Sequence, residues 1–165
     1  MECILFRHGI AVERDDWDGE ESLRPLTPKG VEKTREAAAG LLRLELEPGH
    51  LWTSPLARAF DTAKIIRQMV CPRIELHAHE ALLPEASPDK LLALLSSLPA
   101  DATVICVGHE PHLGETAGVM LFGKPVTGLS LKKAGACCLR FRETPKAGRA
   151  ELRWWMGPSQ LRSLR

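Results

Sequence analysis

The segment "ILFRHGIA", residues 4–11, places an arginine and a histidine directly after a short apolar run. Residues 2–6 predict a buried strand, so Arg7 and His8 stand where that strand ends. A guanidinium group binds phosphate oxygens through several hydrogen bonds, and a neutral imidazole is available as a nucleophile near physiological pH. This pair therefore predicts phosphoryl chemistry at the end of the first strand.

Two further strand ends carry residues of the same kinds. The predicted strand "HLWTS", residues 50–54, leads into a helix with Arg58 in its first turn, and the predicted strand "ATVICVG", residues 102–108, is followed by His109. Ligands of open α/β sheets collect beyond the carboxyl ends of the strands, so we expect all four side chains to converge there. The start of the Arg58 helix would add backbone N–H donors and a partial positive charge. Together these features predict a site for a tetrahedral anion.

Within such a site, His8 qualifies as the nucleophile. We expect the other nitrogen of its ring to hold its proton against a backbone carbonyl of the Gly9 turn. Attack on phosphorus would form a phosphohistidine on the enzyme, which divides one difficult displacement into two. A cationic His109 would then bind the transferring oxygens. Because the two arginines can neutralise the phosphoryl charge, we expect neither a metal nor another cofactor.

The elements that must position these residues alternate between strands and helices, which is typical of an α/β protein. Cap and proline signals predict helices starting at Thr27–Pro28, Ser54–Pro55, Ser87–Pro88 and Pro111, the first of them reaching about Leu46. Two final strands, residues 135–142 and 150–156, are predicted to pair antiparallel. We expect a three-layer α/β/α sandwich with a mainly parallel central sheet, forming one domain over residues 1–165 with a loose tail at 158–165.

The composition argues against several classes of protein. The formal net charge is +1 and the charges are mixed along the chain, so nucleic acid is not an expected partner. The apolar runs are far shorter than the roughly 18 residues that span a membrane. Five cysteines without a C-x-x-C pair predict reduced, buried thiols and a cytoplasmic protein.

Four motifs in order make the sequence resemble the histidine phosphatase (phosphoglycerate mutase-like) superfamily. They are "RHG" at 7–9, "RPLTPKG" at 24–30, "TSPLARAFDTA" at 53–63 and "VGHEPHLG" at 107–114. The short chain, with no room for a large cap insertion, is most similar to the SixA-type protein phosphohistidine phosphatases. The resemblance implies an α/β/α sandwich, a phosphorylated histidine intermediate and a catalytic core of Arg7, His8, Arg58 and His109.

Many members of that superfamily use a glutamate or aspartate as proton donor, in a segment after the third strand. Here the segment reads "HEALLPEASP", residues 79–88, in which Glu85 is the first candidate and Glu80 the second. An imidazole leaving group can depart protonated, whereas an alkoxide needs an acid, so the need for Glu85 depends on the substrate. The candidate substrate-binding residues beyond the catalytic core are Gly9, Ser54 and His112, the last expected near the mouth of the site.

Three functions remain open at this stage. The favoured one is hydrolysis of phosphohistidine on a protein, such as a histidine phosphotransfer domain, with inorganic phosphate as the product. The alternative is a phosphomonoesterase for small sugar, nucleotide or serine phosphates, using the same nucleophile. A non-catalytic phosphate-binding module is the third, and the presence of both His8 and His109 argues against it.

The segment from residue 12 to 26 lacks an apolar period and predicts a long exposed loop. It is a solvated surface loop, a surface that recognises a basic partner, or a surface that repels unwanted polyanions. Six acidic residues lie in it: Glu13, Asp15, Asp16, Asp18, Glu20 and Glu21.

Overall fold

The computed structural model describes residues 1–164 and contains a six-stranded mixed sheet. The spatial order of the strands is β3-β2-β4-β1-β5-β6, with parallel pairing from β3 through β1 and antiparallel pairing of β5 with both β1 and β6. The predicted mainly parallel sheet and its closing antiparallel pair are therefore confirmed. The strands are β1 (Glu2–Arg7), β2 (His50–Thr53), β3 (Leu76–Ala78), β4 (Thr103–Gly108), β5 (Ala136–Phe141) and β6 (Ala150–Met156).

Helices cover both faces of this sheet. Successive side chains of a strand point to opposite faces. In β1, Cys3 and Leu5 pack in one buried cluster, and Ile4 and Phe6 pack in the other. The first cluster includes residues of α3 and α4, and the second includes residues of α1, α2 and α5. The three-layer α/β/α sandwich is confirmed, with helices α1 (Pro28–Leu42), α2 (Ala57–Val70), α3 (Pro88–Ser96), α4 (His112–Phe122) and α5 (Pro158–Ser163).

The predicted helix starts are confirmed where a side chain caps the first turn. Thr27 Oγ1 accepts a hydrogen bond from the Gly30 amide at 2.9 Å, and Pro28 occupies the first helical position. The prediction for α2 is wrong by about two residues. Ser54 Oγ accepts from the Leu56 amide at 3.3 Å, which holds residues 54–56 in a turn before the helix begins at Ala57.

The C-terminal end of α1 also differs from the prediction. The helix ends at Leu42 rather than near Leu46, because the amides of Arg43 and Leu44 bond to carbonyls three residues back and Glu45 adopts a positive φ of 50°. Left-handed backbone of this kind cannot continue a right-handed helix.

The predicted loose tail is wrong for residues 158–163. They form α5, which packs against α1. Leu161 is fully buried in the cluster beneath that helix, and its backbone lies so close to Gly40 that a side chain there would collide with it. Arg165, the last residue of the predicted tail, lies outside the described residues.

The acidic segment lies as an irregular loop between β1 and α1. An isolated antiparallel bridge between Ala11 and Leu26 closes its base, and two short 3₁₀ turns, Arg14–Asp16 and Glu21–Leu23, shape its course. A third such turn, Glu80–Leu82, follows β3. Within residues 1–164, no helix combines the length and apolarity that a membrane crossing requires.

Candidate active site

The sheet register brings the predicted site residues to one edge. Arg7 is paired with Gly108 across β1 and β4, and Thr53 is paired with Val107 across β2 and β4. Each strand therefore ends within one residue of its neighbour. The residues that follow, including His8, leave the sheet side by side at its carboxyl edge.

His8 and His109 are in direct proximity. Their ring centroids are 5.0 Å apart and their planes are inclined by 55°. Both side chains are shielded from solvent, with 7% exposure for His8 and 2% for His109. The expectation that two histidines from separate strand ends meet at one point is confirmed.

The His8 ring is held by the turn that follows it. Its Nδ1 lies 2.7 Å from the carbonyl oxygen of Gly9, and since a carbonyl can only accept, Nδ1 carries the proton. This contact was predicted from the sequence. Burial, above all, lowers the pKa of His8 to about 3, with Arg58 and Arg7 acting in the same direction and the Gly9 carbonyl opposing them. The ring is therefore neutral at physiological pH, with a lone pair on Nε2.

His109 does not carry the positive charge that we expected from the sequence. Burial lowers its pKa to about 2, and the neighbouring His8 and Arg58 add to the effect. Charging a desolvated ring beside cationic side chains is unfavourable, so these surroundings keep His109 neutral.

Arg58 projects from the second position of α2 and is only 5% exposed. Its Nη1 forms an ion pair with Glu21 Oε1 at 3.2 Å and donates to the Glu21 backbone carbonyl at 3.3 Å. Burial lowers the pKa of the guanidinium, as does the charge of Arg24, whereas Glu21 raises it. The sequence assigned Glu21 to the acidic loop, and no motif indicated that it would pair with Arg58.

Arg7 reaches the site from the last position of β1. Its Nη1 donates to the backbone carbonyl of Leu131 at 2.7 Å. That contact fixes one end of the guanidinium against the segment before β5. Burial lowers the pKa of Arg7, and the charge of Glu110 opposes the change.

Thr62 connects the two halves of the site and was missed in the sequence. Its hydroxyl donates to the Arg58 carbonyl at 2.7 Å and accepts from the Gly9 amide at 3.0 Å. The Gly9 amide is therefore engaged within the protein, and Gly9 serves to hold His8 rather than to offer its N–H to a ligand. The spacing of four residues between Arg58 and Thr62 places both on one helical face, which is the signal that could have identified Thr62.

The other predicted residues lie around this centre rather than in it. His112 was expected near the mouth, but it is fully buried at the start of α4, with Nε2 3.4 Å from Thr116 Oγ1. Ser54 is fully buried as well, and its hydroxyl accepts from the backbone as described above. Glu85 is exposed in the segment before α3, where its charge raises the pKa of His112 against the dominant effect of burial.

Several buried polar atoms at the centre lack a protein partner within residues 1–164. They are Nε of Arg7, Nε of Arg58 and both ring nitrogens of His109. Buried polar groups in folded proteins are normally hydrogen-bonded, so this convergence suits a ligand with several acceptor oxygens. Across the same residues, no group of three or more histidine, cysteine, aspartate or glutamate side chains is arranged to hold a metal ion.

Comparison with known proteins agrees with this geometry. Residues 3–83 match the family model of the histidine phosphatase superfamily (branch 1). A protein of Picosynechococcus sp. (strain ATCC 27264 / PCC 7002 / PR-6), whose name describes it as uncharacterized, is 42% identical over 146 residues, which is 85% of each chain.

Two solved structures show how far the fold extends. The protein histidine phosphatase SixA complexed with tungstate superposes with a TM-score of 0.85 at 23% identity, covering 98% of this chain and 99% of SixA. Phosphoserine phosphatase of Entamoeba histolytica, in complex with 3-phosphoglyceric acid, superposes with a TM-score of 0.67 at 21% identity, covering 97% and 98% of the two chains. Taken with its sequence matches, the chain belongs to the histidine phosphatase superfamily.

Proposed function

We propose that this phosphatase hydrolyses phosphohistidine on a protein, such as a histidine phosphotransfer domain, through a phosphohistidine formed on His8. The observation that carries the proposal is the 5.0 Å separation of the buried ring centroids of His8 and His109, with Arg7 and Arg58 close enough for their charges to act on both rings. In keeping with a cytoplasmic location, all five cysteines are free and buried.

In the first step, Nε2 of His8 attacks phosphorus and the P–N bond of the substrate breaks. The Gly9 carbonyl stabilises the tautomer with the proton on Nδ1, and the low pKa of His8 keeps Nε2 unprotonated. The substrate reacts in the form that is protonated on its second ring nitrogen, so cleavage of the P–N bond releases a neutral imidazole.

In the second step, water attacks the phosphorus of the His8 adduct and the new P–N bond breaks. Both protons of the water leave with the product as dihydrogen phosphate, and His8 is regenerated as the neutral ring with its proton still on Nδ1. Throughout both steps Arg7, Arg58 and His109 contact the equatorial oxygens, where phosphoryl transfer places its negative charge. A neutral His109 fulfils this role by donating one N–H.

The carboxyl groups near the site favour a leaving group that needs no acid. Hydrogen bonding to Arg24 lowers the pKa of Glu21, which keeps this carboxyl ionised. Both oxygens of Glu110 accept backbone N–H groups. Glu85 is exposed and has no hydrogen bond or ion pair to the four central residues within the part of the chain described. An imidazole leaving group fits this arrangement, whereas an alkoxide would need a placed proton donor.

A second candidate is hydrolysis of a small phosphomonoester. It is favoured by the electrostatic contact between Glu85 and His112, since His112 lies close enough to His109 for their charges to interact. The structural likeness to a phosphoserine phosphatase is compatible with it. In that case Glu85 would be the proton donor for the alkoxide.

A substrate panel tests the proposal. It comprises a phosphohistidine protein, free phosphohistidine, phosphoserine, phosphotyrosine and a sugar phosphate, each measured with wild type and His8→Ala. We expect the highest kcat/KM on the phosphoprotein, no turnover by His8→Ala, and near-normal turnover by the exposed control His77→Ala. A kcat/KM that is higher for a sugar phosphate or phosphoserine than for either form of phosphohistidine would overturn the assignment.

A further inference from the structure

Glu110 follows His109 directly in the sequence, and its carboxylate contacts the backbone at Leu131 and Gly114. Its Oε1 accepts a hydrogen bond from the Leu131 amide at 2.8 Å, and its Oε2 accepts from the Gly114 amide at 3.3 Å. One contact reaches the segment before β5, and the other reaches the first turn of α4. The carboxylate therefore ties together two elements that border the site.

Leu131 is the point at which this contact meets Arg7. Its N–H donates to Glu110, and its carbonyl accepts from Arg7 Nη1 at 2.7 Å. A short chain of hydrogen bonds thus runs from the residue beside His109 to the guanidinium at the end of β1. Displacing the backbone at Leu131 would move the acceptor that orients Arg7.

Charge and packing reinforce the connection. Burial raises the pKa of Glu110 and lowers that of Arg7, and the attraction between the two charges opposes both shifts. Gly114 has no room for a side chain, because a Cβ there would lie 2.9 Å from Glu110 Oε2 and would collide with the Leu129 carbonyl. The first turn of α4 therefore packs directly against this segment, which leaves little freedom for Leu131.

We propose that Glu110 is a positioning residue that orients Arg7 for phosphoryl binding by holding the Leu131 backbone. The inference rests on the proposed function, in which Arg7 contacts the phosphoryl oxygens. Glu110 does not itself touch the reacting atoms. It acts as an ionised acceptor for two amides, which a glutamine can replace only in part because its NH₂ group cannot accept.

The test compares Glu110→Gln with Glu115→Gln, a matched control in the first turn of α4 that removes a charge from an exposed side chain. Because Glu110→Gln loses a hydrogen bond to a charged group, we expect it to weaken inorganic phosphate binding at least about tenfold by calorimetry. KM should rise by a similar factor with a smaller change in kcat, and the control should stay within about twofold of wild type. Phosphate affinity within about twofold of wild type in a folded Glu110→Gln protein would overturn the proposal.

A double-mutant cycle with Arg7→Ala separates positioning from general destabilisation. If Glu110 acts through Arg7, adding Glu110→Gln to Arg7→Ala should cost less than about a further twofold in phosphate affinity. An undiminished tenfold loss in the Arg7→Ala background would contradict the proposal. Should Glu110→Gln fail to fold, Glu110→Asp keeps the charge and shortens the reach to Leu131, and we expect the same loss of affinity.

The measurement of phosphate affinity does not depend on turnover, so it tests the role of Glu110 separately from the catalytic role of His8. Turnover that survives His8→Ala would refute the catalytic proposal. The positioning role of Glu110 would then be decided by the affinity of Glu110→Gln for inorganic phosphate. Loss of turnover in His8→Ala with unchanged phosphate affinity in Glu110→Gln would refute the positioning role alone.

Discussion

Glu21 lies against Arg58, with Oε1 3.2 Å from Nη1 of the guanidinium. Arg24 donates to both oxygens of the same carboxylate through two hydrogen bonds of 2.9 Å. Glu21 thus pairs with a guanidinium that is proposed to bind the substrate. An incoming phosphoryl group must compete with it for Arg58.

Replacing Glu21 with glutamine should therefore strengthen phosphate binding. Its side chain is 39% exposed, and ion pairs of that kind contribute about 0.2–1 kcal/mol, so we expect the Kd for inorganic phosphate to fall about 1.4- to fivefold. Asp18→Asn removes an exposed charge from the same loop and controls for general electrostatics. Weaker phosphate binding by Glu21→Gln would mean that Glu21 supports Arg58 rather than competing for it.

A lysine at position 58 should not restore the function of Arg58 in binding the phosphoryl group. A guanidinium contacts two phosphoryl oxygens through a rigid fork, whereas an ammonium is a flexible point charge. Loss of one charge-assisted hydrogen bond costs about 1.5–3 kcal/mol, so kcat/KM of Arg58→Lys should fall by about 10- to 100-fold. Steady-state kinetics on the phosphoprotein substrate would measure this fall in kcat/KM. An unchanged kcat/KM would show that Arg58 does not bind the phosphoryl group. The exposed Arg142→Lys is the matched control.

Stability should decrease as the pH falls below about 6.5. The folded-state pKa of His112 is about 4, which is below the ordinary value of 6.5, so the unfolded chain binds the proton more readily between these values. Protonation consequently favours unfolding over this window. His8 and His109 act in the same sense down to about pH 3 and about pH 2.

For His112 alone, the loss between pH 7.5 and pH 5 is about 2 kcal/mol in the free energy of unfolding. Urea unfolding at both pH values should show a pH dependence smaller by about that amount in His112→Asn than in wild type. The exposed variant His77→Asn should retain the wild-type dependence. An identical pH dependence in His112→Asn and wild type would show that His112 is not held neutral by burial.

Glu85 should matter only for substrates that need an acid. We expect Glu85→Gln to lower kcat/KM on an alkyl phosphate monoester about 100-fold or more, the usual contribution of general acid catalysis, and to change it less than about threefold on phosphohistidine. Asp89→Asn, which removes an exposed charge from the first turn of α3, is the matched control. Equal losses on both substrates would refute the idea that the leaving group decides the role of Glu85.

Much of this site could be predicted from the sequence because it is built from strand ends. Four residues of distinctive chemistry follow predicted strands or open a helix, and parallel pairing brings such ends together wherever the exact boundaries fall. The Gly9 carbonyl was predictable for a similar reason, since the turn after His8 offers a local acceptor. The shift of the α2 start by two residues did not affect the position of Arg58.

The contacts that depend on packing could not be predicted in this way. Glu21 and Leu131 reach the site from irregular segments that have no apolar period, and their partners lie far away in the sequence. The burial of His112 follows from the way α4 packs on the sheet, and the low pKa values follow from burial. Leu161 anchors α5 only because Gly40 lets the two helices approach closely.

The most direct test of the account is to trap the phosphorylated enzyme. Wild-type protein mixed with a phosphohistidine substrate is quenched within milliseconds at alkaline pH, digested and examined by tandem mass spectrometry. We predict an acid-labile phosphate on His8, absent from His8→Ala and present in His77→Ala. Phosphate on a different residue of the wild-type protein, or full turnover by His8→Ala, would contradict the account.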